Sequence, residues 1–310
     1  MTSLLLSQKA FVRRRLVGPV ARFARRPLAS PLDGRIVMIT GASSGVGEAS
    51  AKAVAARGGI VLCVARRQTE LDRVVGEISA AGGAAHGYAC DLTDETATEA
   101  LIELALAEHG HVDMLVNNAG RSIRRSLEYS YDRLHDFERT MAINYFGPVR
   151  LTMGLLPGMR ARRFGHVVNI VTWGVQIKAP KFSAYIASKT ALDSFARIAG
   201  REAWSDNVTF TNLRLSLVRT EMIVATDAYR SMPAKSPEQA ARLVVRALED
   251  RPITIGTPIA GLAEVLNVLT PRVMDAIMAA SNKRFPDSAA ARGGPQPVEQ
   301  PDAVSRSSEK

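Results

Sequence analysis

Between residues 33 and 256, short apolar runs alternate with longer segments whose apolar residues recur every three or four positions. RIVMIT, IVLCVA, AAHGYAC, VDMLVN, HVVNIV and VTFTNLRL read as six strands, and segments such as EASAKAVAAR and TEALIELALAEHG read as helices between them. Strand–helix alternation on this spacing implies βαβ units, hence a parallel sheet with helices on both faces. The expected class is therefore α/β: a single doubly wound parallel sheet, followed by apolar C-terminal helices. The sequence holds no internal repeat and no second globular unit.

The first strand runs into VMITGASSGVGEAS, which sets Gly41, Gly45 and Gly47 at the start of a helix. Glycine there permits a tight turn, close approach of the backbone to a pyrophosphate, and close helix–strand packing. The helix amino terminus adds unpaired N–H groups and partial positive charge. Gly41, Ser43, Ser44, Gly45, Val46 and Gly47 are thus expected to cradle a dinucleotide. The second strand ends VARRQTE, where an acid would bind a ribose 2′-hydroxyl and repel a 2′-phosphate. Ala65 takes that place and Arg66 and Arg67 follow. Arginine matches phosphate in shape and charge, so the expected cofactor is NADP(H). Solvated arginines at a helix start are the alternative.

The net charge of +10 suggests a nucleic-acid binder until it is mapped: Lys9, Arg13, Arg14, Arg15, Arg22, Arg25 and Arg26 all fall in an acid-free first thirty residues. The body is close to balanced, so no nucleic-acid partner is expected. The arm (1–32) could lie on an anionic membrane as a basic amphipathic helix, act as a transit peptide, or remain a solvated chain. Its charge follows the apolar stretch, unlike a secretory signal. Cys63 and Cys90 sit in strand-like runs and read as core thiols of a reducing compartment. The expected location is cytoplasmic, with possible peripheral contact at the inner membrane face. No metal site is expected.

Past the body (33–256), two apolar segments, 259–269 and 273–285, form an extension (257–285) with helical spacing, split by Pro271. Packing against the core, a lid over an apolar substrate, a membrane contact and a subunit interface all fit. Residues 286–310 are rich in Pro, Gly and Ser and read as a disordered tail.

The stretch HVVNIVTWGVQIKAPKFSAYIASK carries the chemistry. Tyr185 and Lys189 are four apart and share a helix face. A phenol, with an ordinary pKa near ~10, is a slow acid at neutral pH. A neighbouring ammonium favours the phenolate and makes proton transfer faster.

Thr40 with the glycine turn resembles the TGxxxGxG motif of the short-chain dehydrogenase/reductase family, a branch of the Rossmann-type folds. CDLTD, NNAG and MAINYFG lie in order where that family has its other motifs. The resemblance implies that Asp91, with Leu92, lies near the adenine, and that Asn118, Ala119 and Gly120 line the cofactor cleft. It also gives Val218 and Thr220 to the cofactor. Tyr185, Lys189, Asn144 and Thr172 would be catalytic. Lys189 would also hold the nicotinamide ribose, and Asn144 a water that passes protons to it. The family's usual serine segment reads NIVT here, so Thr172 takes the serine position and would donate to the substrate carbonyl. Alternatively Thr172 ends a strand, bonded to the backbone. Trp173 either walls an apolar slot or fills core.

NNAGRSIRRSL, YDRLHDFERTMAINYFG, VQIKAPKFSAYIASKTALDSF and LVRTEMIVAT look like the branch of bacterial long-chain fatty acyl-CoA reductases and of mycolate-type lipid ketoreductases. RLSLVRTEM lacks the family's usual Pro-Gly after the sixth strand. The resemblance implies an NADPH-dependent reductase of a long-chain acyl-CoA, giving aldehyde. A 3-oxoacyl ketoreductase is the alternative, and an NADP(H)-binding membrane scaffold without turnover is a third reading. Residues 222–232 and the C-terminal helices could enclose an acyl chain, and Arg121, Arg124 and Arg125 could meet CoA phosphates or simply face solvent. The family commonly pairs its helices between subunits, which implies a homo-oligomer.

Overall fold

The computed structural model describes residues 30–220, 232–288 and 291–292. The basic arm up to residue 29, residues 221–231 of the loop and nearly all of the tail beyond 288 lie outside the described residues.

The strands are β1 (Ile36–Thr40), β2 (Ile60–Ala65), β3 (Ala84–Ala89), β4 (Met114–Asn117), β5 (Gly165–Thr172), β6 (Val208–Leu215) and β7 (Thr254–Ile255). They form one parallel sheet in the order β3-β2-β1-β4-β5-β6-β7. The chain winds outward from β1 to β3, then returns to place β4 on the other side of β1. This reversal opens a crevice at the carboxyl ends of β1 and β4, where a doubly wound sheet binds its ligand. Six strands fall where the apolar runs place them. The seventh was not expected: two residues of PITIG pair with Asn212 and Leu213 at the sheet edge.

The period of two along each strand explains the two cores. Val37, Ile39, Val61 and Cys63 face α1 (Gly45–Ala55), α2 (Gln68–Ala80) and α8 (Pro237–Asp250). Ile36, Met38, Leu62 and Val64 face α3 (Glu95–His109), α5 (Gly147–Ala161) and α7 (Ser183–Glu202). Each such buried aliphatic contributes about 1.5–3 kcal/mol. Between α3 and α5 come α4 (Leu134–Met141) and a π-helical turn, Ala142–Phe146, that runs straight into α5. A short helix, α6 (Gly174–Ile177), follows β5. Cys63 and Cys90 are buried free thiols.

The extension forms α9 (Pro258–Leu269) and α10 (Pro271–Arg284), but packing against the core describes neither well. Each buries one residue, Ala260 and Met274, while the large apolar side chains stay exposed. Polar contacts hold α9 down: Arg214 Nη1 and Gln176 Nε2 both donate to Glu264 Oε2, at 3.1 and 2.8 Å. Asn267 donates to the Gln176 carbonyl at 2.8 Å.

The start of the expected disordered tail is part of the body. Asp287 is buried, pairs with Lys181 at 3.0 Å, and accepts from the Ser126 N–H and hydroxyl at 3.0 Å. Two unused carbonyls just past α10 explain the docking: Arg124 donates to Phe285 at 2.8 Å and Pro286 at 3.1 Å.

Candidate active site

The glycine turn is built by close backbone approach. Gly41 and Gly45 have φ of +66° and +57°, the left-handed region that favours glycine. Gly47 has no such φ, but a Cβ there would stand 2.0 Å from the Gly41 carbonyl oxygen. Thr40 fastens the turn to the end of β4: its hydroxyl accepts from the N–H groups of Asn118 and Ala119, both at 3.0 Å. Asn118 Nδ2 donates back to the Thr40 carbonyl at 2.8 Å. Ser44 caps α1 without a side-chain hydrogen bond, so the cap residue leaves the first-turn N–H groups open. A narrow turn feeding an uncapped helix start fits the pyrophosphate of a dinucleotide.

Arg66 and Arg67 line the same cleft at the tip of β2. Neither makes a side-chain hydrogen bond among the described residues, whereas nearby Arg73 is shared between Glu48, Glu70 and Glu77. Asp91 accepts from the Thr93 N–H and hydroxyl at 2.9 and 2.8 Å. Those bonds, with the charge of Arg66 nearby, hold its carboxyl below the usual carboxylate range. Leu92 sits beside it, 4% exposed.

At the other end, α7 carries Tyr185 and Lys189 on one face. Lys189 is 3% exposed and its Nζ donates to the Ile170 carbonyl at 2.8 Å, tying α7 to β5 two residues before Thr172. Burial pushes its pKa down to about 8. Asn144 is fully buried in the π-helical turn: Nδ2 donates to the Arg121 carbonyl and Ser188 hydroxyl at 2.8 and 3.0 Å, and Oδ1 accepts from the Arg121 N–H at 2.8 Å. A Cβ on Gly120 would lie 2.8 Å from Asn144 Oδ1 and 3.3 Å from Lys189 Nζ, so these three meet at one point.

Thr172 takes the backbone-bonded arrangement without giving up its donor. Its hydroxyl oxygen accepts from the Gly174 N–H at 3.1 Å, the backbone-bonded arrangement. That bond uses an acceptor lone pair and leaves the hydroxyl hydrogen to give to a substrate oxygen. Gly174 stands between Thr172 and α7: a Cβ there would be 3.3 Å from Thr172 Cγ2 and 3.1 Å from Ile186 Cδ1, next to Tyr185.

These residues, with Val218 and Thr220, border one cleft of about 1700 Å³; Gly47 and Asn144 stand just behind its wall. Val218 bridges to Lys235, which fixes the segment after β6 without the Pro-Gly. The lining of the cleft also includes large apolar side chains. Trp173, Ile177 and Phe182 line it from the β5–α7 side, and Met278 and Phe285 from α10. Trp173 thus lies on the cleft. Ile177, Met278 and Phe285 were not singled out in the sequence, although the period of α10 carried part of the signal. Of the expected phosphate-facing arginines, Arg121 and Arg124 line the cleft, Arg124 also donating to the chain past α10, and Arg125 lies 3.8 Å from Asp136. Among the described residues no cluster suits a metal ion.

Residues 35–230 match the family model of the short chain dehydrogenases. An uncharacterized oxidoreductase of Mycobacterium tuberculosis is 47% identical over 271 residues, covering 86% of this chain and 80% of that protein. A fatty acyl-CoA reductase of Acinetobacter baylyi is 46% identical over 262 residues, 84% of this chain and 89% of that protein. Among solved structures, a 3-oxoacyl (acyl-carrier-protein) reductase of Agrobacterium tumefaciens with NADP bound superposes at a TM-score of 0.64 with 30% identity, over 69% of this chain and 87% of that one. The chain belongs to the short-chain dehydrogenase family and is an oxidoreductase.

Proposed function

We propose that the protein reduces a long-chain acyl-CoA to the aldehyde with NADPH. The observation that carries this reading is a single cleft lined both by the glycine turn and by the apolar side chains of Trp173, Phe182, Met278 and Phe285. The 46% identity with a fatty acyl-CoA reductase supports the same substrate class.

NADPH, when bound, supplies the hydride for the carbonyl carbon. The chain's own groups manage the oxygen. Thr172 donates to it and stabilises the negative charge that develops there. Tyr185 gives it a proton, and the Lys189 ammonium favours the phenolate left behind. Asn144, behind Lys189, orients the group that returns a proton. Arg66 and Arg67 take the 2′-phosphate. With a thioester, the product of hydride and proton addition is a hemithioacetal, which expels CoA as thiol to give aldehyde and free CoA.

A 3-oxoacyl substrate is the second reading, favoured by the likeness to the NADP-bound 3-oxoacyl reductase. The experiment is NADPH oxidation by the purified full chain, offered a long-chain acyl-CoA and then a long-chain 3-oxoacyl thioester. Aldehyde and free thiol from the first support the leading reading. Turnover confined to the second, giving a hydroxyacyl thioester, replaces it. NADPH binding without turnover on either leaves a non-catalytic scaffold.

A further inference from the structure

Among the described residues, the helical hairpin α9–α10 presents an apolar face left without cover. Half of the exposed large hydrophobic side chains among the described residues fall between 259 and 285. Ile259, Val268 and Leu269 are 77, 76 and 71% exposed, and Leu262, Val265 and Val273 exceed half. A contiguous apolar surface of this kind marks a contact site.

Three observations choose the occupant. First, the one acid of α9, Glu264, is half-exposed but pairs with Arg214 and accepts from Gln176, so the single charge of this helix is already partnered. Second, the exposed charges of α10 are Arg272, Lys283 and Arg284 against the single acid Asp275, which suits anionic headgroups. The acid-free first thirty residues, with seven cations, repeat that chemistry in the same chain. Third, α10 also lends Met278, Asn282 and Phe285 to the cleft. Whatever covers the hairpin therefore lies next to the cleft.

We propose that the α9–α10 face is a peripheral docking surface for an anionic lipid bilayer, seated so that acyl chains pass from the membrane to the cleft between Phe182 and Phe285. The preference for a bilayer over a second copy of the chain rests in part on the acyl reading above. The apolar side chains enter the headgroup–acyl boundary, and Arg272, Lys283 and Arg284 meet the phosphates.

The test is co-flotation of the full chain with phosphatidylcholine vesicles, with and without phosphatidylglycerol. The parent is expected to bind the anionic vesicles at least about tenfold better than the neutral ones. Val268→Glu with Val273→Glu alters exposed side chains and is expected to keep the parent's Tm and NADPH affinity. It should weaken binding by at least about tenfold. Arg13, Arg14 and Arg15, all changed to Gln, should leave part of the binding intact. Failure of the parent to float, or double-variant binding equal to the parent's, overturns the proposal. So does a fall from dimer to monomer in the double variant without lipid, which makes the face a subunit contact. Turnover of soluble acyl-CoA, assayed without vesicles, is a separate readout. Flotation without turnover retires the enzymatic reading alone, and turnover without flotation retires the docking surface alone.

Discussion

The Lys189 Nζ sits 2.8 Å from the carbonyl oxygen of Ile170, a dipole that helps hold an ammonium in a position only 3% exposed. Burial still outweighs that bond and puts the pKa at about 8 instead of the usual 10.5. The sign follows directly. The ammonium is present below about pH 8 and is lost as pH rises through it. The kcat/KM for carbonyl reduction is therefore expected to fall on the alkaline side with a midpoint near 8 in the free enzyme. Because the folded value lies below the unfolded one, protonated Lys189 destabilises the fold, fully so below the folded pKa. Lys189→Met should thus keep or raise Tm at pH 7 while turnover drops by about 10²–10⁴-fold. A parallel fall in Tm and activity would make Lys189 structural instead.

Thr172 decides whether the site tolerates a threonine. Its hydroxyl oxygen is held by the Gly174 N–H at 3.1 Å, so the side chain is anchored before substrate arrives. Thr172→Val keeps the shape and removes the donor. The expected loss in kcat is about 10²–10³-fold with little change in NADPH affinity. Thr172→Ser should retain activity of the parent's order. Equal turnover in the valine variant would assign Thr172 to the backbone alone. Steady-state kinetics on the acyl substrate, with NADPH binding by fluorescence, separates the outcomes.

The sequence made much of this legible because buried parallel strands leave unbroken apolar runs. Val37, Ile39, Val61 and Cys63 could be placed without coordinates. β7 was hidden because it is two residues long and gains its identity from Asn212 and Leu213 across the sheet edge. The period of α9 and α10 could be read, but not which side they bury. Helices apolar around much of their girth read as core, and here hydrogen bonds at Glu264 and Asn267 hold α9 to the body instead. Arg124 shows the same blindness: nothing in an arginine among arginines signals hydrogen bonds to carbonyls 161 and 162 positions away. Long-range hydrogen bonds have no periodic signal.

Arg66 and Arg67 should set cofactor choice. Both line the cleft, and the nearest competing guanidinium, Arg73, is neutralised by three carboxylates. A charge-assisted hydrogen bond contributes about 1.5–3 kcal/mol, so Arg66→Ala with Arg67→Ala is expected to raise the KM for NADPH by about 100-fold. The KM for NADH should stay near the parent's, because no 2′-phosphate is lost. Equal weakening of both cofactors would mean that the arginines act on the pyrophosphate or only face solvent.

Two glycines in neighbouring helices should respond in opposite directions to the same change. A Cβ on Gly47 would lie 2.0 Å from the Gly41 carbonyl oxygen and 2.6 Å from Asn118 Nδ2, so the turn and the end of β4 must separate. Gly47→Ala is expected to cost about 1–3 kcal/mol of stability and to weaken NADPH binding, since the same backbone forms the cradle. Gly76 lies within α2 with nothing within 4 Å of a Cβ and no positive φ. Gly76→Ala should stabilise by about 0.5–1 kcal/mol, through helix propensity alone, and leave the cofactor untouched. Thermal unfolding with and without NADPH reads both effects. A Gly47→Ala variant with the parent's Tm and NADPH affinity would show that the turn relaxes freely. Close packing at Gly41 would then not be what shapes the nucleotide site.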